Sequence, residues 1–109
     1  MHELAITQSL VSAVWERVGT SRVTRVHVTI GRLSGVVPDA VRFCFDVCAA
    51  GTPLEGAALD VDEIPGRARC RACGVEENLA DAIALCRCGS ADLEFVAGRE
   101  LRLDEVEVI

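Results

Sequence analysis

Six cysteines and two histidines are the side chains of this 109-residue sequence best suited to soft or borderline metal ions. Four of the cysteines fall in two close pairs. "CRACG" at 70–74 puts Cys70 and Cys73 in a Cys-x-x-Cys-Gly knuckle, a tight turn that lets both sulfurs face one ion. "CRCGS" at 86–90 adds Cys86 and Cys88 after a 12-residue spacer. Two thiol pairs make a tetrahedral, closed zinc site, with no open position for a water or a substrate. The second pair is one residue short of a knuckle. Its sulfurs reach a common ion if the backbone at Arg87 is extended and Arg87 projects outward. A redox pair at Cys70 and Cys73 is the rival reading. It requires the motif at the start of a helix and leaves Cys86 and Cys88 without a role. Arg67, Arg69, Arg71 and Arg87 flank the pairs and are expected to offset thiolate charge. Cys44 and Cys48 are spaced as a helical pair, but they share a stripe with Val41 and Phe45 and read as core residues without metal.

The second candidate site is "MHE" at the start. The Met1 amine, the deprotonated His2 amide and the His2 imidazole can close two fused chelate rings around one ion. Three in-plane nitrogens suit Ni(II) or Cu(II), with a fourth ligand from Glu3 or from a partner protein. Aminopeptidases spare methionine before a bulky residue, so Met1 is expected to persist. His27 alternates with Val26 and Val28 and reads as a solvent-facing strand residue.

These groups need elements to hold them. From Leu4 to Val18 the apolar residues Leu4, Leu10, Val11, Val14, Trp15 and Val18 occupy an arc of roughly 140° on a helix, which Gly19 ends. "RVHVTIG" has the two-residue period of a strand with one buried face. "VVPDAVRFCFDVCAAG" reads as a second helix, with Pro38 in its first turn and Gly51 at its end. "AALDVDEI" is a second strand stopped by Pro65. In "GRELRLDEVEVI" the apolar parity shifts between Leu103 and Val106, which predicts a bulge near Asp104. The order implies an α/β (α+β) fold, a two-layer domain with two helices on a three-stranded mixed sheet. The strand–helix–strand unit is parallel and right-handed. The four-cysteine zinc module is an insertion before the last strand. Residues 1–66 and 95–109 form the α/β domain, and 67–94 the module.

The net charge of −6 opposes non-specific binding to nucleic acid or anionic lipid. No apolar run approaches the ~20 residues of a membrane span. No basic cluster precedes the first apolar residues as in a secretory signal, so the chain is expected in the cytoplasm.

"MHELAITQSL", "VTIGRLSGVVPDAVRFCF", "GTPLEGAALDVDEIP", "CRACG", "CGS" and "GRELRLDEVEV", in this order, closely resemble the HypA/HybF family of hydrogenase nickel-incorporation proteins. The resemblance runs nearly end to end and departs from the family at the shortened Cys86-Arg87-Cys88 pair. It implies a metallochaperone and not an enzyme. Such a protein binds Ni(II) through Met1, His2 and Glu3 and carries a structural Zn(II) on Cys70, Cys73, Cys86 and Cys88. It works with the GTPase HypB to deliver nickel to the NiFe hydrogenase large-subunit precursor, and in some members it also serves urease accessory proteins. A zinc-ribbon interaction adaptor with an incidental amino terminus is the alternative.

Overall fold

The computed structural model describes residues 2–79 and 85–109. Helix α1 spans His2–Val18, strand β1 Val23–Gly31, helix α2 Pro38–Ala49 and strand β2 Ala58–Ile64. Three short strands follow, β3 Gly66–Cys70, β4 Glu76–Leu79 and β5 Leu93–Ala97, and β6 Leu101–Val108 closes the chain. One sheet has the order β2-β1-β6 and the other β4-β3-β5.

The first sheet is mixed, as its sequence pattern implies. β1 pairs in parallel with β2, with Val26 opposite Leu59 and Val28 opposite Val61. β6 lies antiparallel on the other side of β1. The register there runs from His27–Glu105 to Val28–Leu103, so Asp104 is the extra residue of a bulge. The bulge keeps Leu103 and Val106 on one face of the sheet despite their odd spacing.

Val26, Val28 and Ile30 of β1 are buried against Val11 and Val14 of α1 and Val41 and Phe45 of α2. The buried side of α1 is narrower than the apolar arc. It centres on Thr7, Val11 and Val14. Thr7 is tolerated there because its hydroxyl donates to the Glu3 carbonyl at 2.6 Å, the back-bond that a helix offers a threonine. Trp15 lies roughly 70° from that centre at 100° per residue. It is 45% exposed, at the rim of a surface groove with Val47 and Cys48. Cys44 and Cys48 are half-buried, and Cys48 packs against the core. His27, read from the sequence as solvent-facing, is half-buried, and its Nε2 bonds to Asp62 at 2.9 Å.

The second sheet was not evident from the sequence. Along β3 the buried residues are small or metal-ligand types: Gly66, Ala68 and Cys70 alternate inward. The sheet extends to Ala97, so Phe95–Ala97, grouped with the α/β domain by sequence, pair with β3 instead.

Three glycines make the junction between the sheets. A Cβ on Gly31 would sit 2.1 Å from the Gly98 carbonyl oxygen, and one on Gly98 would sit 2.5 Å from the Gly66 Cα. Gly98 also has φ +108, a conformation that side chains oppose. At the junction Leu33 N–H donates to the Gly98 carbonyl at 2.6 Å, and beside it Gly31 N–H to Glu100 at 2.7 Å and Arg32 N–H to Ile64 at 2.9 Å continue the pairing of β1 with β6 and β2.

Candidate metal centres

The sulfurs of Cys70, Cys73, Cys86 and Cys88 all lie within 4.8 Å of one another. Cys70 and Cys88 are 3.7 Å apart and Cys73 and Cys86 3.5 Å. A zinc–sulfur bond of about 2.3 Å in a tetrahedron requires sulfurs about 3.8 Å apart, so the cluster has the dimensions of a four-thiolate zinc site.

Two turns of matching design deliver the sulfurs. In the first, Gly74 N–H donates to the Cys70 carbonyl at 2.8 Å and Cys70 N–H to the Val75 carbonyl at 2.9 Å. In the second, Gly89 N–H donates to Cys86 at 2.8 Å and Cys86 N–H to Ser90 at 2.9 Å. The second ring is one residue tighter, and Gly74 at φ +80 and Gly89 at φ +92 take the same reversal. Arg87 and Cys88 therefore sit in a turn and not in extended backbone. Arg87 does project outward and pairs with Glu77 at 3.4 Å. In each turn the first sulfur is enclosed and the second open: Cys70 and Cys86 are buried, Cys73 and Cys88 exposed.

The electrostatics call for a cation. Backbone N–H groups, Cys73's foremost, lower the Cys70 thiol to about 6, against its desolvation. Cys73 is acted on first by the Val75 N–H, which lowers it, yet the crowded sulfurs, Cys86's first, leave it raised to about 12. The Cys70 thiolate forms readily, and the raised Cys73 and Cys88 thiols then favour their protons until a metal supplies positive charge. The expectation that arginines offset this charge is corrected. Arg67 and Arg69 hold Glu76 at 3.0 and 2.9 Å, Arg71 holds Asp92 at 2.9 Å, and Arg87 holds Glu77. The redox geometry is also missing, since Cys70 ends a strand and Cys73 lies in the following turn.

At the other candidate centre Met1 lies outside the described residues. His2 and Glu3 open α1, against the loop between β1 and α2. His2 Nε2 is 3.2 Å from the Gly35 carbonyl oxygen and 3.1 Å from Glu3 Oε2. Val37 N–H points at the same carboxylate oxygen from 3.5 Å. Glu3's own backbone N–H holds its carboxyl below the ordinary range against partial desolvation, and the Val37 N–H and His2 assist. The His2 side chain is 57% exposed. Gly35 and Val37 were not singled out by sequence reasoning. The contacts span 33 and 34 residues, so only a fold that sets this loop beside α1 could have revealed them.

Fold and site together define a small α+β protein that carries a four-thiol metal module beside a helical domain. A profile described as "Hydrogenase/urease nickel incorporation, metallochaperone, hypA" matches residues 1–108. The "Hydrogenase maturation factor HypA" of Nostoc sp. strain PCC 7120 is 51% identical over 108 residues, 99% of this chain and 96% of that protein. The protein of the same name from Geobacter metallireducens is 46% identical over 109 residues and 99% of each chain. The solution structure of the Ni metallochaperone HypA from Helicobacter pylori shares the fold with TM-score 0.63 at 20% identity, covering 98% of this chain and 97% of that one. This chain belongs to the HypA family of nickel-incorporation metallochaperones of hydrogenase maturation. No described helix is long and apolar enough to cross a membrane.

Proposed function

We propose that the protein carries Ni(II) as cargo on its amino-terminal Met1, His2 and Glu3. The observation that carries this reading is the exposed His2 imidazole at the start of α1, beside a carboxylate held ionised. Nickel is captured by the Met1 amine, the His2 amide nitrogen and the His2 imidazole, with Glu3 as a ligand or local tuner. Such a site has few protein ligands and lies on the surface, so a partner's ligands can complete it or dismantle it. Release by ligand exchange is fast from a site of this kind and slow from a closed cage.

The four cysteines are assigned to a structural Zn(II). They fit it by separation, by turn design and by their need for a cation. When bound, zinc holds the sulfurs as thiolates and cross-links the two turns. The division of labour follows the two sheets, with cargo on the helical part and structural metal on the inserted module.

The partners that suit this reading are the GTPase HypB, the NiFe hydrogenase large-subunit precursor and, in members that also serve it, the urease accessory machinery, all in the cytoplasm. A recipient must approach the start of α1. With a net charge of −6 the chain favours a locally basic partner surface and a salt-sensitive on-rate.

The test is metal analysis and calorimetry on untagged zinc-loaded protein, on protein with a short amino-terminal extension, and on His2→Ala. Both changes should abolish tight nickel binding and leave zinc and fold intact. Nickel affinity that survives both removes the amino-terminal site.

A further inference from the structure

We propose that the Gly35 carbonyl is a positioning group for nickel capture. With Glu3 it takes the Nε2–H of His2 and so leaves Nδ1 as the nitrogen that meets the metal. The inference rests on the amino-terminal nickel reading above.

The argument starts from what faces the ring. Among the described residues Nε2 faces two oxygens, the Gly35 carbonyl at 3.2 Å and Glu3 Oε2 at 3.1 Å. A carbonyl oxygen and an ionised carboxylate only accept, so the nitrogen between them must carry the proton. In the neutral ring the lone pair is then on Nδ1. That is the nitrogen the chelate needs. An ion bound to the His2 amide nitrogen closes a small ring through Cα, Cβ, Cγ and Nδ1, whereas Nε2 points away from the backbone. A metal-bound histidine commonly donates its other N–H to a carbonyl or carboxylate, which fixes the tautomer and the ring plane.

The acceptor is built to stay where it is. Gly35 takes φ +79, which turns its peptide away from the course a side-chain-bearing residue would follow. Ser34 N–H bonds to the Gly31 carbonyl at 3.1 Å, and Val36 N–H bonds to the Ser34 hydroxyl at 3.1 Å. Val36 is buried in the core on one side of Gly35, and Leu33 N–H is tied to Gly98 on the other. The loop therefore presents one carbonyl to the start of α1 from a pinned turn. Among the described residues no atom beyond Gly35 and its chain neighbours lies within 4 Å of a Cβ built there, so substitution acts through the backbone and not through a clash.

The test uses the full-length, untagged, zinc-loaded protein. Nitrogen-15 NMR of the nickel-free form reads the His2 tautomer, and calorimetry with Ni(II) reads affinity. The neutral ring should carry its proton on Nε2. Gly35→Val, which opposes positive φ, should raise the Nδ1–H share and weaken nickel binding about tenfold, with zinc content unchanged. Gly35→Asn, which tolerates positive φ, should restore most of the affinity. A wild-type ring protonated on Nδ1 overturns the proposal, and that measurement needs no variant and no nickel. So does a Gly35→Val protein that is folded and zinc-loaded with wild-type nickel affinity. Failure of the underlying reading looks different: His2→Ala then keeps nickel, whatever the tautomer.

Discussion

The cysteine module gathers four sulfurs from two turns and encloses two of them, at 1% and 5% exposure for Cys70 and Cys86. The His2 end gathers one imidazole, one carboxylate and nearby backbone groups on a helix start whose imidazole is exposed. The difference lies in how many groups must move before a metal leaves. A four-sulfur cage opens only when its turns come apart, and those turns hold the strands β3 to β5 in place. A helix start with an exposed ring loses its ion when one partner ligand competes. On the proposed reading, a single small chain keeps one metal for structure and passes the other on. Each device is placed where the fold makes that behaviour natural.

The largest effect expected from breaking this contrast is at the cage. Cys86→Ser removes one sulfur and should take the zinc content from about one per chain to near zero, unfolding the β4-β3-β5 sheet. Structural zinc contributes on the order of 10 kcal/mol in small modules, and this sheet buries little else beyond Ala68 and Leu79. Cys44→Ala should retain the zinc, since its thiol lies on α2, outside the cluster. Zinc analysis with amide exchange reads both results. A Cys86→Ser protein that keeps stoichiometric zinc and a protected β3 refutes the four-thiol site.

A second change addresses what joins the two regions. Gly31→Ala would drive a methyl group to 2.1 Å from the Gly98 carbonyl, and backbone cannot swing aside as a side chain can. The cost should be about 3 kcal/mol, the upper range for overpacking. Gly19→Ala is the control. Its φ is +62 but, among the described residues, no atom beyond its chain neighbours lies within 4 Å of the added carbon, so about 1 kcal/mol is expected from conformation alone. Denaturant melts of the zinc-loaded proteins measure both. Equal losses would show that the junction is looser than its contacts imply.

The sequence was most legible where chemistry or period dictates spacing. The knuckle at Cys70 announced itself, and the parity shift between Leu103 and Val106 located the bulge at Asp104 before any strand was paired. The parallel β1-β2 pair followed from the strand–helix–strand order. What stayed hidden has three physical causes. The β3 strand buries glycine, alanine and cysteine, so it shows no apolar alternation. The tight turn at Cys86–Ser90 replaces a residue's worth of backbone with a shorter hydrogen-bonded ring, which spacing rules do not anticipate. Gly35 was invisible for a third reason. Its contribution is a main-chain oxygen, and residue type carries no record of where a carbonyl points.

The smallest expected effect concerns the chain's other histidine, and it tests whether an imidazole beside acids always signals a metal. His27 bonds through Nε2 to Asp62 at 2.9 Å, and that hydrogen bond raises its pKa; burial opposes this, while the charges of Asp62, Asp104 and Asp60 add to it. These carboxylates do not converge with the ring into a metal-sized cluster among the described residues. His27 therefore has acidic neighbours that favour its protonated form, in a polar sheet face with no metal-sized cluster of ligands. Because its folded pKa is raised, folding favours the protonated ring. The resulting stabilisation is fully present below the ordinary value of about 6.5 and fades as pH climbs through the raised folded value. The comparison is the melting temperature of wild type minus that of His27→Gln, both zinc-loaded, at pH 5.5 and at pH 8.5. Other titrations cancel in the difference. The ring and Asp62 are partly exposed, so the effect is small, but its sign is fixed: the wild-type advantage must shrink on going to pH 8.5. An advantage that grows would mean that the neutral ring is the form the sheet prefers, and Asp62 would then be held by something other than charge.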